Sequence, residues 1–259
     1  MPRTPSLDAL RVQIDRVDDK ILTLLNQRAR LAQRVGEHKQ STGASIYRPA
    51  REKRILHRLM EANTGPLDEA SIRPIFREII AACLSLEERL HIACLGPLGT
   101  FSHQAVREQF GSRAEVVPVE SIPAVFDEVE QQRAQYGVVP AENSTEGVIA
   151  ATLDRFVASL LTVKAEIMLR IEHNLMSRSG RADHVQCIVS HPQSLAQCQQ
   201  WLRQNFPNVP QREASSNAQA AEIAQGDPSI AAIGGQAAAD RYDLKIIAAN
   251  VQDLAQNYT

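Results

Sequence analysis

Residues 7–40 read LDALRVQIDRVDDKILTLLNQRARLAQRVGEHKQ, and Leu10, Ile14, Val17, Ile21, Leu24, Leu31 and Val35 recur mainly at three- and four-residue steps. That spacing predicts one amphipathic helix from about Ser6 to Gln40. Asp8 suits the positive end of its dipole, and Ser41-Thr42-Gly43 supplies a stop. About 35 helical residues span about 50 Å, whereas a compact domain of about 90 residues is only about 25–30 Å across. One copy cannot cover such a stripe, so a partner chain is expected, most simply in a two-fold homodimer.

Working outward, Pro49 opens a second helix through about Glu61, Asn63-Thr64-Gly65-Pro66 breaks the chain, and Ile72, Ile75, Phe76, Ile79, Ile80, Cys83 and Leu84 mark a third over about Asp68–Leu90. Arg28 and Lys39 lie eleven residues apart, near three full turns, and share a face. Arg11 precedes Arg28 by 17 residues, about 100° round the helix. It suits a pocket of the partner in an antiparallel dimer better than one in its own chain. Taken alone, such cations read first as solvated or snorkelling charges, the usual fate of Lys and Arg.

The chain has 259 residues, 44% apolar and 22% charged, enough for more than one core. With 28 Lys/Arg against 30 Asp/Glu the net charge is −2, which argues against a nucleic-acid-coating protein. No apolar run approaches the roughly 18–20 residues of a membrane span. Met1-Pro2-Arg3-Thr4-Pro5-Ser6 lacks a signal-peptide core, and a cytoplasmic protein without membrane partners is expected. Cys83, Cys94, Cys187 and Cys198 form no CxxC pair and read as reduced, mostly buried thiols. No His/Cys/Asp/Glu cluster has ligand spacing, so neither metal nor cofactor is expected. Residues 1–90 hold 16 basic and 12 acidic residues, a net of +4, and residues 91–259 the remaining 12 and 18, a net of −6. That shift coincides with a change of pattern and puts a domain boundary near Leu90–His91.

Beyond the boundary strands and helices alternate. Strands are expected at His91–Leu95, Ala114–Val119, Tyr136–Val139, Val185–Val189, Ile230–Ile233 and Leu244–Ala248. Helices are expected at Phe101–Phe110, Ser121–Gln132, Val148–Ser159, Gln193–Gln204, Ala218–Ala224 and Gln236–Arg241. This pattern implies a largely parallel sheet covered on both faces. The extended run Val163–Met176 is a candidate crossing between two lobes. Gly96–Ser102, Pro140–Gly147, Ser190–Gln193 and Ser215–Asn217 follow strands and carry small polar residues. Such positions bind ligands in α/β folds, and helices starting there offer free amide donors to an anion.

Residues 7–90 resemble the all-helical type of chorismate mutase. The resemblance is carried by Leu10-Arg11-x-x-Ile14-Asp15-x-x-Asp18, Leu25-x-x-Arg28, Val35-Gly36-x-x-Lys39, Arg48-Pro49-x-Arg51-Glu52 and Ile79-Ile80-x-x-Cys83-Leu84-x-x-Glu87. It implies a three-helix domain in an intertwined dimer. It also implies a chorismate site in which Arg11 of the partner copy, Arg28 and Arg51 bind carboxylates, with Arg48 beside them. Lys39 would meet the ether oxygen and Glu52 the ring hydroxyl. Such groups fit a pericyclic rearrangement, which needs a folded dianion and stabilisation of charge on the breaking ether oxygen. Cys83 stands where the family often has Ser, and Glu87 where it has Gln. A glutamate must be protonated to donate to the ether oxygen, so mutase activity is expected to fall as Glu87 ionises.

Residues 91–259 are similar to the prephenate dehydratase catalytic domain, through Leu95-Gly96-Pro97-x-Gly99-Thr100-Phe101-Ser102, Pro140-x-Glu142-Asn143-Ser144-x-Glu146-Gly147, Ser190-His191-Pro192-Gln193 with Cys198, and Asn250-x-x-Asp253-x-x-x-Asn257-x-Thr259. That implies two α/β lobes like a type II periplasmic binding protein, and removal of carbon dioxide and water from prephenate. Thr259 matches the family's essential threonine. Thr100, Ser102, Glu142, Asn143, Ser144, Ser190, Gln193 and Ser216 are the candidate substrate contacts. The Arg and Phe that follow the family's threonine, and the regulatory domain beyond them, are not in this sequence. A terminal Thr259 is expected to be poorly held and dehydratase turnover weak. The competing readings are a mutase whose second half only binds prephenate, and a helical dimerisation module on a solute-binding fold.

Overall fold

The computed structural model describes residues 6–42, 49–87, 89–145 and 147–259. By contacts the chain divides into two compact units, Met1–Arg89 with Gly111–Arg113, and Leu90–Phe110 with Ala114–Thr259.

The first unit is built from α1 (Leu7–Thr42), α2 (Pro49–Ala62) and α3 (Glu69–Glu87). Both α1 and α2 pack on α3, whose Ile72, Ala81 and Cys83 are buried with Leu56 of α2. The third helix ends at Glu87 rather than Leu90. The predicted stripe on α1 is left open: its seven apolar residues are each at least 41% exposed. The two shorter helices have too little surface to cover a helix of 36 residues.

The second unit opens with β1 (His91–Leu95), α4 (Phe101–Phe110), β2 (Glu115–Val119), α5 (Ile122–Glu130) and β3 (Tyr136–Val138). These form a wholly parallel sheet of order β2-β1-β3. Within the expected loop 140–147, β4 (Glu142–Asn143) pairs with β5 (Gly147–Val148), and α6 (Ala150–Ala158) follows. After the crossing come β6 (Asn174–Ser177), a short 3-10 turn, β7 (Cys187–Ser190), α7 (Pro192–Gln197), α8 (Gln199–Asn205), β8 (Gln211–Glu213), α9 (Asn217–Gly226), β9 (Ile230–Gly234), α10 (Gln236–Tyr242) and β10 (Lys245–Ala248). Their sheet has the order β10-β6-β9-β7-β8. Successive strand residues face opposite ways. Leu175, Ile188 and Ile233 therefore pack with Leu202 and Val251 on one face, and Met176, Val189 and Ala232 with the alanines of α9 and α10 on the other.

Three expectations need correction. The helix read over Gln193–Gln204 is two helices broken at Cys198, because Asp253 reaches in from the C-terminal segment and accepts from Gln200 N and Trp201 N, 2.9 Å each. The second sheet is mixed: only Asn174–Ser177 of the extended run is strand, and it runs antiparallel to β9 and β10. β6 arrives from the crossing rather than through an overlying helix, so the βαβ rule that makes neighbours parallel does not apply. Thr259, expected to be loose, is anchored. Its N donates to Leu169 O (2.9 Å), its O accepts from Leu169 N (2.8 Å), and Ile171 N donates to Asn257 O (2.8 Å). The C-terminal segment lies antiparallel along the crossing, so fraying of Thr259 is no ground for expecting weak turnover.

Candidate active sites

In the helical unit the structure brings Lys39 and Glu87 together: Lys39 Nζ donates to Glu87 Oε2 at 3.1 Å, with only 8% of the Glu87 side chain exposed. Glu87, expected as a protonated donor, here accepts from an ammonium group. Arg28 Nη1 lies 3.4 Å from Ile79 O on the same α3, one helical stretch before Cys83 and Glu87. Glu52 is half-buried; burial raises its pKa and the charge of Arg77 on α3 opposes the rise. Arg77 was not foreseen, and its buried Nε has no hydrogen-bond partner among the described residues. Arg51 is exposed on α2, and Arg11 is exposed on α1, 3.4 Å from Asp8. Seventeen residues of helix put Arg11 about 25 Å from Arg28, so one chain does not gather them. Arg48 lies outside the described residues.

Gly36 is what lets α1 approach Glu87. A Cβ on Gly36 would stand 3.0 Å from both Cβ and Cγ of Glu87. Alanine is intrinsically the better helix residue by about 1 kcal/mol, yet it would push Glu87 off Lys39. Gly36→Ala is expected to keep the helical circular dichroism and lower mutase turnover about tenfold, since misplacement of a fraction of an ångström is costly at a reacting atom. Unchanged turnover would contradict this geometry.

In the second unit, Asn143, Ser144 and Thr259 meet with Thr145, Gln197 and Asn257. Two backbone N–H groups, which only donate, fix the protons of this cluster. Thr145 N donates to Asn143 Oδ1 (2.9 Å), which turns Asn143 Nδ2 toward Thr259 Oγ1 (2.7 Å). Tyr258 N donates to Ser144 Oγ (3.0 Å). Ser144 gives its own proton to Asn257 Oδ1 (3.2 Å), which turns Asn257 Nδ2 toward Gln197 Oε1 (3.2 Å). Gln197 Nε2 then donates to Thr145 Oγ1 (3.2 Å), and Thr145 donates to Asn143 Oδ1 (2.6 Å). Thr259 Oγ1 is thus an acceptor here, and among the described residues no group takes its own proton.

The other candidates divide. Ser190 Oγ donates to Ile233 O (2.8 Å) and lies 3.0 Å from Asn217 Oδ1, which also accepts from Ser194 Oγ (2.9 Å) and His191 N (3.3 Å). Ser190 is fully buried and shapes the loop that presents Gln193. Ser216 Oγ caps α9 by accepting from Gln219 N (3.0 Å). Thr100 Oγ1 lies 3.4 Å from Leu95 O, Ser102 is half-buried at the start of α4, and Glu142 is exposed on β4. Sequence reasoning missed Thr145, Gln197, Asn217 and His173. Thr145 and Asn217 lay within polar loops already singled out, and Gln197 stands one turn after Gln193 on the same helix; His173 had no local signal.

His103 and His173 are both held below the usual imidazole range. For His173 the cause is burial, partly offset by its bond to Gln197; for His103 it is burial and the charges of Arg107 and Arg241. Both nitrogens of His103 face N–H donors, Gly99 N at 3.1 Å and Arg107 Nε at 3.2 Å. As pH falls below about 6.5 the unfolded chain takes up protons the folded chain refuses, so stability is full above that pH and declines below it. The melting temperature is expected to drop between pH 6.5 and 5, and to drop less in His173→Gln. Equal drops would contradict the assignment.

Among the described residues no helix is long and apolar enough to cross a membrane, and no three His, Cys, Asp or Glu gather to hold a metal ion. The four cysteines are free; burial pushes the Cys94 thiol up to about 11 and the Cys198 thiol to about 12.

A family model described as chorismate mutase type II matches residues 10–88, and one described as prephenate dehydratase matches residues 92–259. A bifunctional chorismate mutase/prephenate dehydratase of Aquifex aeolicus is 44% identical over 257 residues, covering 98% of this chain and 71% of the relative. A solved prephenate dehydratase from Arthrobacter aurescens, in complex with L-Phe, is 28% identical with a TM-score of 0.59, covering 65% of this chain and 59% of that one. A structure described as a novel type of quorum quenching acylase is 27% identical with a TM-score of 0.56, covering 65% and 61%. The fold of the second unit therefore serves more than one chemistry, and residues must choose among them.

Proposed function

Because the chain belongs to the bifunctional chorismate mutase/prephenate dehydratase family, we infer that it rearranges chorismate to prephenate and converts prephenate to phenylpyruvate, consecutive steps of phenylalanine biosynthesis. One observation carries the reading: each matched region holds its own built polar cluster, Lys39 with Glu87 in the first and Asn143 with Thr259 in the second. We place the mutase in residues 1–90 and the dehydratase in residues 91–259.

In the mutase, Arg28 and Arg51 with Arg11 from the partner copy hold the two carboxylates, with Arg48 beside them. Guanidinium groups suit that task through paired N–H donors. Glu52 accepts from the ring hydroxyl, and Cys83 packs under the site. Lys39 turns from Glu87 to the ether oxygen as charge grows there, and Glu87 holds the Lys39 ammonium beside the site. No covalent intermediate is needed. In the dehydratase, prephenate loses a carboxylate as carbon dioxide. The electron pair left behind moves through the ring, and the ring hydroxyl departs as water on receiving a proton. Thr259 donates to that leaving oxygen. Asn143 and Ser144 hold it in place, and Thr100, Ser102, Gln193 and Ser216 offer donors around the carboxylates, with Glu142 at the rim; Ser190, its hydroxyl committed to Ile233 O, shapes the loop that carries Gln193. The reaction calls for donors rather than a redox cofactor.

The open stripe on α1 supports a homodimer, which alone brings Arg11 to Arg28. Wild-type chain is expected to sediment at twice its 28.6 kDa mass. With Ile14→Glu and Leu24→Glu together it should sediment as a monomer and lose mutase turnover by about a hundredfold or more, the scale of removing a carboxylate-positioning group. Dehydratase turnover of added prephenate should persist. A wild-type monomer with full mutase activity would contradict the dimer.

A further inference from the structure

His173 precedes β6 and belongs to none of the groups assigned above. The residue is 1% exposed. The backbone is pinned on both sides, His173 N donating to Gln252 Oε1 (2.9 Å) and His173 O accepting from Val251 N (2.8 Å). The ring stands edge-on to Phe101, with centroids 5.4 Å apart and planes at 78°. Among the described residues the ring has one polar contact, Nε2 to Gln197 Oε1 at 2.8 Å. The other nitrogen, Nδ1, is buried and has no hydrogen-bond partner among them.

The cluster around Thr259 decides which way that contact runs. Gln197 Oε1 already accepts from Asn257 Nδ2, and Gln197 Nε2 already donates to Thr145. A carbonyl oxygen has no proton to give, so the ring must be the donor, with its single proton on Nε2 and a lone pair on Nδ1. An unpaired buried ring nitrogen is costly, and an apolar side chain would fill the same space without it. Imidazole at this position makes sense for the one bond it donates.

We propose that His173 is a positioning residue of the dehydratase: in its Nε2–H form it locks the Gln197 carboxamide, and through Thr145 and Asn143 it keeps the Thr259 proton free for the substrate. If Gln197 turned over, its oxygen would face Thr145 and draw that hydroxyl's proton away from Asn143. Asn143 Oδ1 would then lose the Thr145 hydroxyl, a bond that helps aim its amide at Thr259. The proposal rests on the dehydratase reading of residues 91–259.

Two variants and one spectrum test it. His173→Leu fills the space without a donor and is expected to lower kcat for phenylpyruvate formation from prephenate about tenfold, the scale of one hydrogen bond, with KM changed less than about twofold. His173→Gln carries an N–H that can reach the same oxygen and should regain most of the loss. A leucine variant at full kcat, or a glutamine variant no better than leucine at equal melting temperature, overturns the proposal. The long-range proton–nitrogen spectrum of the wild-type chain reads the tautomer without turnover. A proton on Nε2 supports the proposal, and one on Nδ1 overturns it. A wild-type chain that makes no phenylpyruvate from prephenate fails the functional reading instead, and the spectrum still decides the network.

Discussion

Lys39→Ala is expected to lower chorismate mutase turnover by about a hundred- to a thousandfold, the scale of removing one preorganised charge-stabilising group, while phenylpyruvate formation from added prephenate is unchanged. The rearrangement breaks a carbon–oxygen bond without help from a nucleophile or a proton-transfer relay, so its barrier is sensitive to the cation beside the oxygen. The substitution also leaves the buried Glu87 without its partner at 3.1 Å. Breaking a buried pair is itself destabilising. Lys39→Gln separates the two effects, because it keeps a donor near Glu87 and removes only the charge. Both variants should lose turnover, with Lys39→Gln melting closer to wild type. A Lys39→Gln variant with wild-type kcat would remove Lys39 from the mechanism.

The second large effect is at the other cluster. Thr259→Val keeps the shape and removes the hydroxyl, and is expected to lower dehydratase turnover by about a hundredfold or more, the scale of losing a positioned proton donor. Mutase turnover should not change. Thr259→Ser restores the oxygen and should restore most of the rate. The fixed proton arrangement makes this prediction sharp: Asn143 Nδ2 occupies one lone pair of Oγ1 at 2.7 Å, so the remaining O–H points elsewhere. A valine variant at the wild-type rate would mean that the leaving hydroxyl is assisted by another group.

Local pattern made the helical unit legible. Apolar residues at three- and four-residue steps gave α1, and its length against the size of the domain foretold the uncovered stripe, open from Leu10 to Val35. The strand–helix alternation likewise gave most elements of the second unit and put the polar loops at strand ends, but not the short strands β4, β5 and β8. What could not be read locally came from distant residues. Asp253 breaks a helix more than fifty positions away, as its bond to Gln200 spans 53 residues. β6 reverses direction because of how the chain enters the sheet. Thr259 looked loose as a last residue, yet Leu169 holds it on both backbone groups. Asn143 and Thr259 were readable through the resemblance, whereas Gln197, Thr145 and His173 acquire their roles only where the crossing and the C-terminal segment converge. Arg77 was hidden for a similar reason, since nothing in the α3 pattern says that Glu52 of α2 lies nearby.

A chorismate time course at pH 7, with chorismate, prephenate and phenylpyruvate measured separately and without acid treatment, tests the central claim most directly. Two working sites on one chain predict loss of chorismate, a transient of prephenate and accumulation of phenylpyruvate, with Thr259→Val stopping at prephenate. Undiminished chorismate, or wild-type chain that stops at prephenate as the valine variant does, would contradict it.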